Sequence, residues 1–467
     1  MIKNFCNRSL FFNNKWQKNV TKKKLKRSFS DKNILFMSGN NTDLTRLILS
    51  SKKASSIWSN FEINKKKIIL KKISKVLKEN RKIIAKDMMI DTGKSYYECY
   101  QELTFCCKLW DEAIKVNKKF FENRINLNKS TVIKELKQPI GIVGLFIPYN
   151  NYMVVLSERL PFLLMSGSIA IIKPNELGVL GIIKFLDLIK LKIKKIPGII
   201  NMIIGEKSIG AKIVKSNKVP MIDFTGSKIV GRNISIEGAK QFKKINLELG
   251  GKNPSIISYN ANLKKAVVSI MNDFTGNAGQ NCVAISRAYV HKNIYNTFKF
   301  LLFKNLEKQK FQQKLRNKKN TIKILNYIND NINYFQKRLC YGKITNNHIK
   351  VKPLVFENIH NNNFLYKEEL FMPILIIEKF ENMNEAINKA NNSEYGLSAT
   401  LWAKKNVDSE NILSKIESGR LWLNGSIYQN YSFLRVGGLK SSGNGRVAGA
   451  DSINNYCLFK TIIMNKN

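Results

Sequence analysis

The residue types that could carry chemistry are concentrated in one stretch of the chain, residues 247–282. Glu248 precedes the paired glycines Gly250 and Gly251, and Cys282 follows a Gly-Gln-Asn sequence. Glycine lets the backbone approach a ligand closely. A cysteine attacks as the thiolate, which is a minor species at neutral pH, so it needs a neighbour that activates it. The stretch therefore predicts a thiol nucleophile and a carboxylate base.

A histidine is the usual partner of a catalytic cysteine, but the chain contains only His291, His348 and His360. None of them lies in a local signature of a Cys-His enzyme. A carboxylate is therefore the better candidate. The alternative is structural, because free cysteine is among the most buried residue types: Cys282 could sit in a helix and Glu248 at a strand edge.

Length and composition indicate a globular protein of two or three structural units. The chain has 467 residues, of which 44% are hydrophobic and 24% charged. No apolar run reaches the roughly 18 residues that a membrane span needs. The seven cysteines form no CxxC pair and no cluster with histidine. We therefore expect no disulfide framework, no metal site and a reducing compartment.

The net charge of +46 could indicate nucleic-acid binding. The lysines are instead spread over the whole chain together with many asparagines and isoleucines, as a compositional drift would leave them. We expect no specific nucleic-acid partner. A polyanion-binding protein is kept as an alternative, because weak, salt-dependent binding follows from such a charge alone.

Residues 1–40 are predicted to form a poorly ordered basic leader. The first acidic residue is Asp31, and an acid-poor basic start resembles a mitochondrial transit peptide. The expected compartment is the cytoplasm, with the mitochondrial matrix as the alternative.

Helical and strand patterns alternate over most of the first half. Residues 44–90 have a helical pattern that Asp91-Thr-Gly-Lys94 breaks, and short β-branched runs at 140–147, 169–173 and 199–204 predict buried strands. Strands that alternate with helices predict an α/β fold with a doubly wound parallel sheet. Ligands bind such sheets at the carboxyl ends of the strands, where four polar or glycine residues occur: Asn150, Lys173, Gly205 and Gly226.

Gly226 and Gly231 follow a strand and open a helix, a setting that suits a dinucleotide phosphate. The spacing is not the usual G-x-G-x-x-G, so a plain turn between strand and helix is an equal alternative. Beyond Cys282 we expect a strand at 287–291 and a helix over 294–315, whereas the asparagine-rich residues 316–363 show no clear pattern.

Six motifs in this order resemble the aldehyde dehydrogenase superfamily, over roughly residues 44–460. They are Lys173-Pro-Asn-Glu176, Phe224-Thr-Gly-Ser227, Glu248-Leu-Gly-Gly-Lys252, Gly279-Gln-Asn-Cys282, Glu368-Glu-Leu-Phe371 and Gly437-Gly-Leu-Lys-Ser-Ser-Gly443.

The resemblance implies NAD-dependent oxidation of an aldehyde to a carboxylic acid. Cys282 would form a thiohemiacetal and then a thioester, Asn150 and the Cys282 amide would stabilise the oxyanion, and Glu248 would activate water. It also implies that Glu176 favours NAD over NADP, since a carboxylate repels a 2′-phosphate. The cofactor-binding residues that it implies are Lys173, Glu176, Gly205, Gly226, Ser227, Gly231, Glu369 and Phe371.

The resemblance further implies an aldehyde dehydrogenase-like fold in a homodimer or homotetramer. The expected parts are a dinucleotide-binding domain (residues 41–120 and 140–250), a catalytic domain (251–436) and an oligomerisation arm (121–139 and 450–467).

Four residues that depart from the family pattern bear on activity. Tyr149 and Asn151 stand where tryptophan and phenylalanine are usual, Met372 replaces a glycine, and Val436 replaces a phenylalanine. The alternative function is accordingly a degraded member that binds a dinucleotide with little or no turnover. The aromatic residues in 426–434 favour an apolar or aromatic aldehyde, although the sequence does not name it.

Overall fold

The computed structural model describes residues 8–19, 24–29, 32–128, 130–194, 196–311, 314–344, 351–405 and 407–465. No helix among these residues is long and apolar enough to cross a bilayer. The α-helices run, in chain order, α1 (Asn41–Ser59), α2 (Ile63–Glu79), α3 (Arg81–Thr92), α4 (Tyr96–Lys115), α5 (Tyr152–Ser157), α6 (Leu160–Ser166), α7 (Leu180–Lys192), α8 (Lys207–Lys215), α9 (Lys228–Ala239), α10 (Leu263–Thr275), α11 (Tyr295–Lys308), α12 (Lys318–Asp330), α13 (Ile332–Gln336), α14 (Phe364–Lys367), α15 (Met383–Asn391) and α16 (Val407–Ser414).

The strands belong to two large sheets and to smaller sheets and hairpins. They run, in chain order, β1 (Leu10–Phe12), β2 (Lys15–Trp16), β3 (Lys24–Phe29), β4 (Lys32–Met37), β5 (Glu122–Asn126), β6 (Thr131–Pro139), β7 (Ile142–Ile147), β8 (Ile169–Pro174), β9 (Ile200–Ile203), β10 (Met221–Thr225), β11 (Lys244–Glu248), β12 (Asn253–Ile257), β13 (Ile285–His291), β14 (Leu339–Tyr341), β15 (Leu354–Glu357), β16 (Ile374–Phe380), β17 (Tyr395–Gly396), β18 (Ser398–Trp402), β19 (Arg420–Leu423), β20 (Leu439–Lys440) and β21 (Cys457–Asn465).

The chain divides into two compact units, each built around one large sheet. Unit 1 comprises Met1–Leu247, Tyr431–Arg435 and Arg446–Asn467. Unit 2 comprises Glu248–Asn430 and Val436–Gly445. The division after Leu247 puts the whole Glu-Leu-Gly-Gly-Lys motif in unit 2.

The sheet of unit 1 has the order β11-β10-β7-β8-β9-β1-β2. Strands β10, β7, β8 and β9 run parallel. Every residue of β7 is buried. An unbroken apolar strand of this kind suits a sheet that is covered on both faces. The predicted α/β class with a parallel sheet is confirmed, and the carboxyl ends of these strands lie along one edge.

The structure differs from the predicted poorly ordered leader in residues 8–19. Strand β1 pairs antiparallel with β9, with Leu10 opposite Ile203 and Phe11 opposite Met202. Leu10 and Phe11 are buried. The sequence pattern does not predict this strand, because its apolar run is only three residues long and lies in a basic segment. Residues 1–7, 20–23 and 30–31 lie outside the described residues.

The helical pattern predicted over 44–90 is formed by α1, α2 and α3. The side chain of Asn40 caps α1 by accepting from the Asp43 amide, and the Asp43 carboxylate accepts from the Asn40 amide in return. Gly93 ends α3 with a φ of 71°, a left-handed conformation that favours glycine. The helix predicted over 294–315 is shorter, because α11 ends at Lys308.

The sheet of unit 2 has the order β14-β15-β16-β13-β12-β18-β19 and is parallel except for β14. The described part of 316–363, which had no clear sequence pattern, forms α12, α13, β14 and β15. Helix α12 buries only a narrow apolar stripe, Ile324, Leu325 and Ile328, among polar residues. That stripe is too short to distinguish a helix from an asparagine-rich loop by periodicity.

A separate small sheet has the order β21-β6-β5. It covers most of the predicted oligomerisation arm, with Thr461 opposite Glu135. Phe459 and Ile463 on β21 are exposed, at 66% and 65% of their surface. Association through this sheet stays a prediction.

Candidate active site

Glu248 ends β11 and leads directly into the glycine pair. Its side chain is buried, at 7% exposure, and the Leu249 amide donates to the carbonyl of Ser442 at 2.8 Å. A Cβ atom on Gly250 would overlap the carboxylate of Glu369. The Gly251 amide donates to that carboxylate, with 3.2 Å between N and Oε1. The structure therefore brings Glu369, predicted to contact the cofactor, onto the motif that carries the predicted base.

Cys282 follows a turn of unusual backbone conformation. Asn277, Ala278 and Gly279 have φ values of 50°, 54° and 70°, so three successive residues are left-handed. A Cβ atom on Gly279 would overlap the backbone of Met372, which leaves room only for glycine. The turn directs the chain to the half-buried Cys282, whose Sγ lies 3.8 Å from Oδ1 of Asn281.

The backbone of Cys282 is fixed to the glycine motif. The Asn253 amide group donates to the carbonyl oxygens of Cys282 and Ala284 at 2.8 and 2.9 Å, and its Oδ1 accepts from the Ser398 amide at 3.1 Å. A Cβ atom on Gly251 would lie 2.6 Å from the carbonyl oxygen of Cys282. The segments that hold Glu248 and Cys282 are therefore in direct contact within unit 2.

Gln280 holds the other side of the cysteine turn. Its amide group donates to the carbonyls of Asn277 and Lys314, at 3.0 and 3.1 Å, and its Oε1 accepts from the Arg316 amide at 2.8 Å. Sequence reasoning missed Gln280 and Asn253 as positioning residues. The available signal was their place beside the cysteine and the glycine pair.

In unit 1 the predicted residues follow the carboxyl ends of neighbouring strands. Lys173 at the end of β8 lies 3.8 Å from the carboxylate of Glu176 and also donates to the carbonyl of Pro174 at 3.2 Å. Gly205 follows β9 and Asn150 follows β7, where its side chain is buried at 6% exposure.

The turn after β10 contains three further predicted residues. Gly226 and Ser227 precede α9, whose N-cap is Ser227, and Gly231 is buried on that helix. The Ser227 side chain makes no capping hydrogen bond. In unit 2, Phe371 is half-buried with a left-handed φ of 56°.

Comparison with known proteins identifies the family. The model described as "Aldehyde dehydrogenase family" matches residues 20–462. Lactaldehyde dehydrogenase of Methanococcus aeolicus is 31% identical over 410 residues, covering 85% of this chain and 87% of the relative. Human aldehyde dehydrogenase 1A1 is 29% identical over 474 residues, covering 97% and 94%. The chain belongs to the aldehyde dehydrogenase family.

Solved structures agree with this assignment. The NAD+ complex of a Bacillus cereus aldehyde dehydrogenase superimposes with a TM-score of 0.93 at 26% identity, covering 100% of this chain and 98% of that one. The predicted aldehyde dehydrogenase-like fold is confirmed. The predicted enzyme class, an oxidoreductase that acts on aldehydes, is confirmed as well.

One departure from the aldehyde dehydrogenase pattern is explained by packing. Met372, which replaces a glycine, is buried at 4% exposure in an apolar cluster with Ala278 and Leu370. The added side chain is therefore absorbed by the core of unit 2, and only its backbone faces Gly279.

Lys252 completes the glycine motif as a buried cation. Its Nζ donates to the carbonyl of Leu365 at 2.7 Å, and the residue is only 2% exposed. Burial, with a smaller effect of the Arg287 guanidinium, lowers the pKa of the Lys252 ammonium to about 7, although the carboxylates of Glu369 and Glu368 oppose the shift. Lys252 is therefore a group whose charge changes near neutral pH.

Replacing Lys252 by Met should change how stability depends on pH. Between about pH 7 and 10 the unfolded native chain binds more protons than the folded one, because the pKa of Lys252 is lowered by folding. The free energy of unfolding of the native chain should then rise relative to Lys252→Met by about 1 kcal/mol per pH unit in this window and stay level below it. Urea unfolding at pH 7.5 and 9.0 measures the difference, and the exposed Lys264→Met is the control. An equal difference at both pH values would contradict the lowered pKa.

Gly276, just before the cysteine turn, is closely approached by a tyrosine side chain. Its φ of −56° is available to any residue, but a Cβ atom there would overlap the hydroxyl of Tyr428. The Tyr428 segment is attached to α10, because the Ser426 hydroxyl donates to the buried carboxylate of Asp273 at 2.6 Å. Gly276 thus sets how closely this segment covers the end of α10.

We expect Gly276→Ala to lower the free energy of unfolding by about 1 kcal/mol, the lower end of the usual cost of overpacking, because the exposed Tyr428 ring can move aside. Tyr428→Phe removes the overlapping hydroxyl, so the double variant should be less destabilised than the sum of the single ones. Denaturant unfolding of the four chains measures the coupling. Strict additivity would mean that Tyr428 is not what excludes a side chain at 276.

Proposed function

We propose that this aldehyde dehydrogenase oxidises its substrate to a carboxylic acid with NAD, through a thiohemiacetal and a thioester on Cys282. The observation that carries the proposal is the contact of three segments in unit 2. The glycine pair after Glu248 touches the carbonyl of Cys282 on one side and the carboxylate of Glu369 on the other. The three segments that carry the proposed nucleophile, base and cofactor carboxylate are thus packed directly against one another.

Acyl formation begins with Cys282. Its thiol points to Oδ1 of Asn281, which can hold the thiol hydrogen until the thiolate forms. Attack of Sγ on the aldehyde carbon places negative charge on the aldehyde oxygen, and fixed donors lower the energy of that charge. The donors in the proposal are the side-chain amide of Asn150 and the backbone amide of Cys282.

Acyl release depends on Glu248. Water must lose a proton as it attacks the thioester, and a carboxylate within hydrogen-bond reach can accept it. The buried position of Glu248 suits this role, since little bulk water competes for its oxygens. Release of the acid returns the thiol.

The residues of unit 1 fit a dinucleotide. Lys173 and Glu176 can contact the adenosine ribose, while Gly226 and Ser227 precede the positive end of α9, which suits a diphosphate. Gly205 and Gly231 would also contact the dinucleotide, and Glu369 with Phe371 would hold the nicotinamide ribose. When bound, the dinucleotide supplies the hydride acceptor.

The finer assignments rest on single features. The carboxylate of Glu176 supports NAD over NADP, and the exposed Tyr428 supports an apolar or aromatic aldehyde. Exposed Phe459 and Ile463 support assembly of copies of this chain, as a homodimer or homotetramer, through β21. The cytoplasm is the proposed compartment, because the cysteines among the described residues are not joined in disulfides, as in a reducing compartment.

Cys282→Ala should abolish NADH formation from a panel of aliphatic, aromatic and acidic aldehydes. Cys340→Ala is the matched control, because this thiol is also half-buried in unit 2 but burial raises its pKa to about 12. Glu248→Gln should keep a first-turnover burst of NADH and slow the steady state by about 100-fold or more. A native chain that binds NAD but oxidises no aldehyde would support the degraded-member alternative.

Cofactor choice should shift in Glu176→Gln. Removing the carboxylate removes its repulsion of a 2′-phosphate, so the ratio of kcat/KM for NADP to that for NAD should rise about 10-fold. Glu237→Gln, a partly exposed position on α9, is the control. An unchanged ratio would exclude Glu176 as the residue that selects the cofactor.

A further inference from the structure

The turn Asp91–Lys94, which breaks the helical sequence pattern, is buried. Asp91 is 0% exposed and Lys94 is 4% exposed. The left-handed Gly93 turns the chain sharply at the end of α3, so that both side chains enter the interior of unit 1. The proposed reaction assigns no role to either side chain.

Lys94 joins α4 to the segment that contains Asn150. Its ammonium donates to the carboxylate of Glu102 and, at 2.6 Å, to the side-chain oxygen of Asn151. Burial raises the pKa of the Glu102 carboxyl, and the Lys94 ammonium opposes the rise. A buried ammonium is stable only when such partners replace its water. Asn151 thus supplies the second oxygen acceptor of the buried Lys94 ammonium, beside Glu102.

Asn151 is the N-cap residue of α5, yet its side chain does not cap the helix. Asparagine at this position usually accepts from an amide of the first turn. Here its side-chain oxygen accepts from Lys94 instead. The contact with Lys94 thus orients the residue next to Asn150.

Asp91 restrains Tyr152, the residue that follows Asn151. Its carboxylate accepts from the Tyr152 hydroxyl at 2.9 Å and from the amides of Val179 and Leu180 at 2.6 and 2.7 Å. On the other side of Asn150, a Cβ atom on Gly178 would overlap the carbonyl oxygen of Tyr149. Asn150 is therefore flanked by Tyr149 on one side and by Asn151 and Tyr152 on the other, and all three make contacts in the interior of unit 1.

We propose that Lys94 is a positioning residue for the reaction, because its hold on Asn151 fixes the direction of the Asn150 side-chain amide. This inference rests on the proposed oxyanion role of Asn150. It also explains why asparagine occurs at 151, where the resemblance predicts phenylalanine: the amide supplies the acceptor that the buried ammonium needs.

The test compares Lys94→Met with Lys66→Met in the full chain. Lys66 is likewise buried in unit 1, and its ammonium donates to the carbonyl of Ser59. We expect Lys94→Met to slow first-turnover NADH formation about 10- to 100-fold, with less than about a twofold change in the dissociation constant of NAD. Lys66→Met should keep the native first-turnover rate, and Lys94→Arg should recover part of the loss.

A double-variant cycle separates positioning from general damage. In an Asn150→Ala background, Lys94→Met should cost less than about a further twofold, because the amide that it positions is gone. The full loss in that background would overturn the proposal. Asn151→Leu removes the acceptor and adds no charged group. It should reproduce the loss of rate if Lys94→Met does not fold.

The cycle also distinguishes this inference from the proposed function. A native first-turnover rate in Asn150→Ala would refute the oxyanion role and the inference with it. A slow Asn150→Ala together with native rates in Lys94→Met and Asn151→Leu would refute only the positioning role.

Discussion

The contact between the glycine pair and the carbonyl of Cys282 is the constraint on which the site depends. Gly251 approaches that carbonyl so closely that no side chain fits between them, and the Asn253 amide binds the same oxygen. Strands β12 and β13 run side by side, with Asn253 opposite Ile285, so the sheet itself holds this contact in register. The distance between the two predicted catalytic segments is therefore a property of the sheet and not of two flexible loops.

The fold could be predicted where local patterns are strong. The apolar runs of β7 and β8 and the left-handed end of α3 at Gly93 follow directly from residue types. Strand β1 could not be predicted, because it is only three residues long and joins the large sheet by pairing with β9, far along the chain. The same reason applies to the site. Motifs predicted Glu248 and Cys282 as site residues, whereas the contact of Lys94 with Asn151 joins residues 57 positions apart and leaves no local signal.

The departures from the family pattern have different physical outcomes. Met372 enlarges the core of unit 2 without adding a polar group, so it changes packing alone. Asn151 exchanges an apolar ring for an acceptor and is matched by a buried cation. The abundance of lysine is thus not confined to the surface. Lys66, Lys94 and Lys252 are all buried, and each has a carbonyl or carboxylate oxygen in reach.

The left-handed turn at residues 277–279 limits how far the composition of this chain can drift. Isoleucine is common elsewhere in the sequence, but a β-branched side chain is a steric outlier at positive φ. Asparagine adopts this conformation more readily than lysine does. Substitutions that exposed helix surfaces tolerate are therefore excluded by the backbone conformation of residues 277–279, shortly before Cys282. Cys282, the proposed nucleophile, follows backbone conformations that few residue types can adopt, so its surroundings should change more slowly than the rest of the chain under the same pressure.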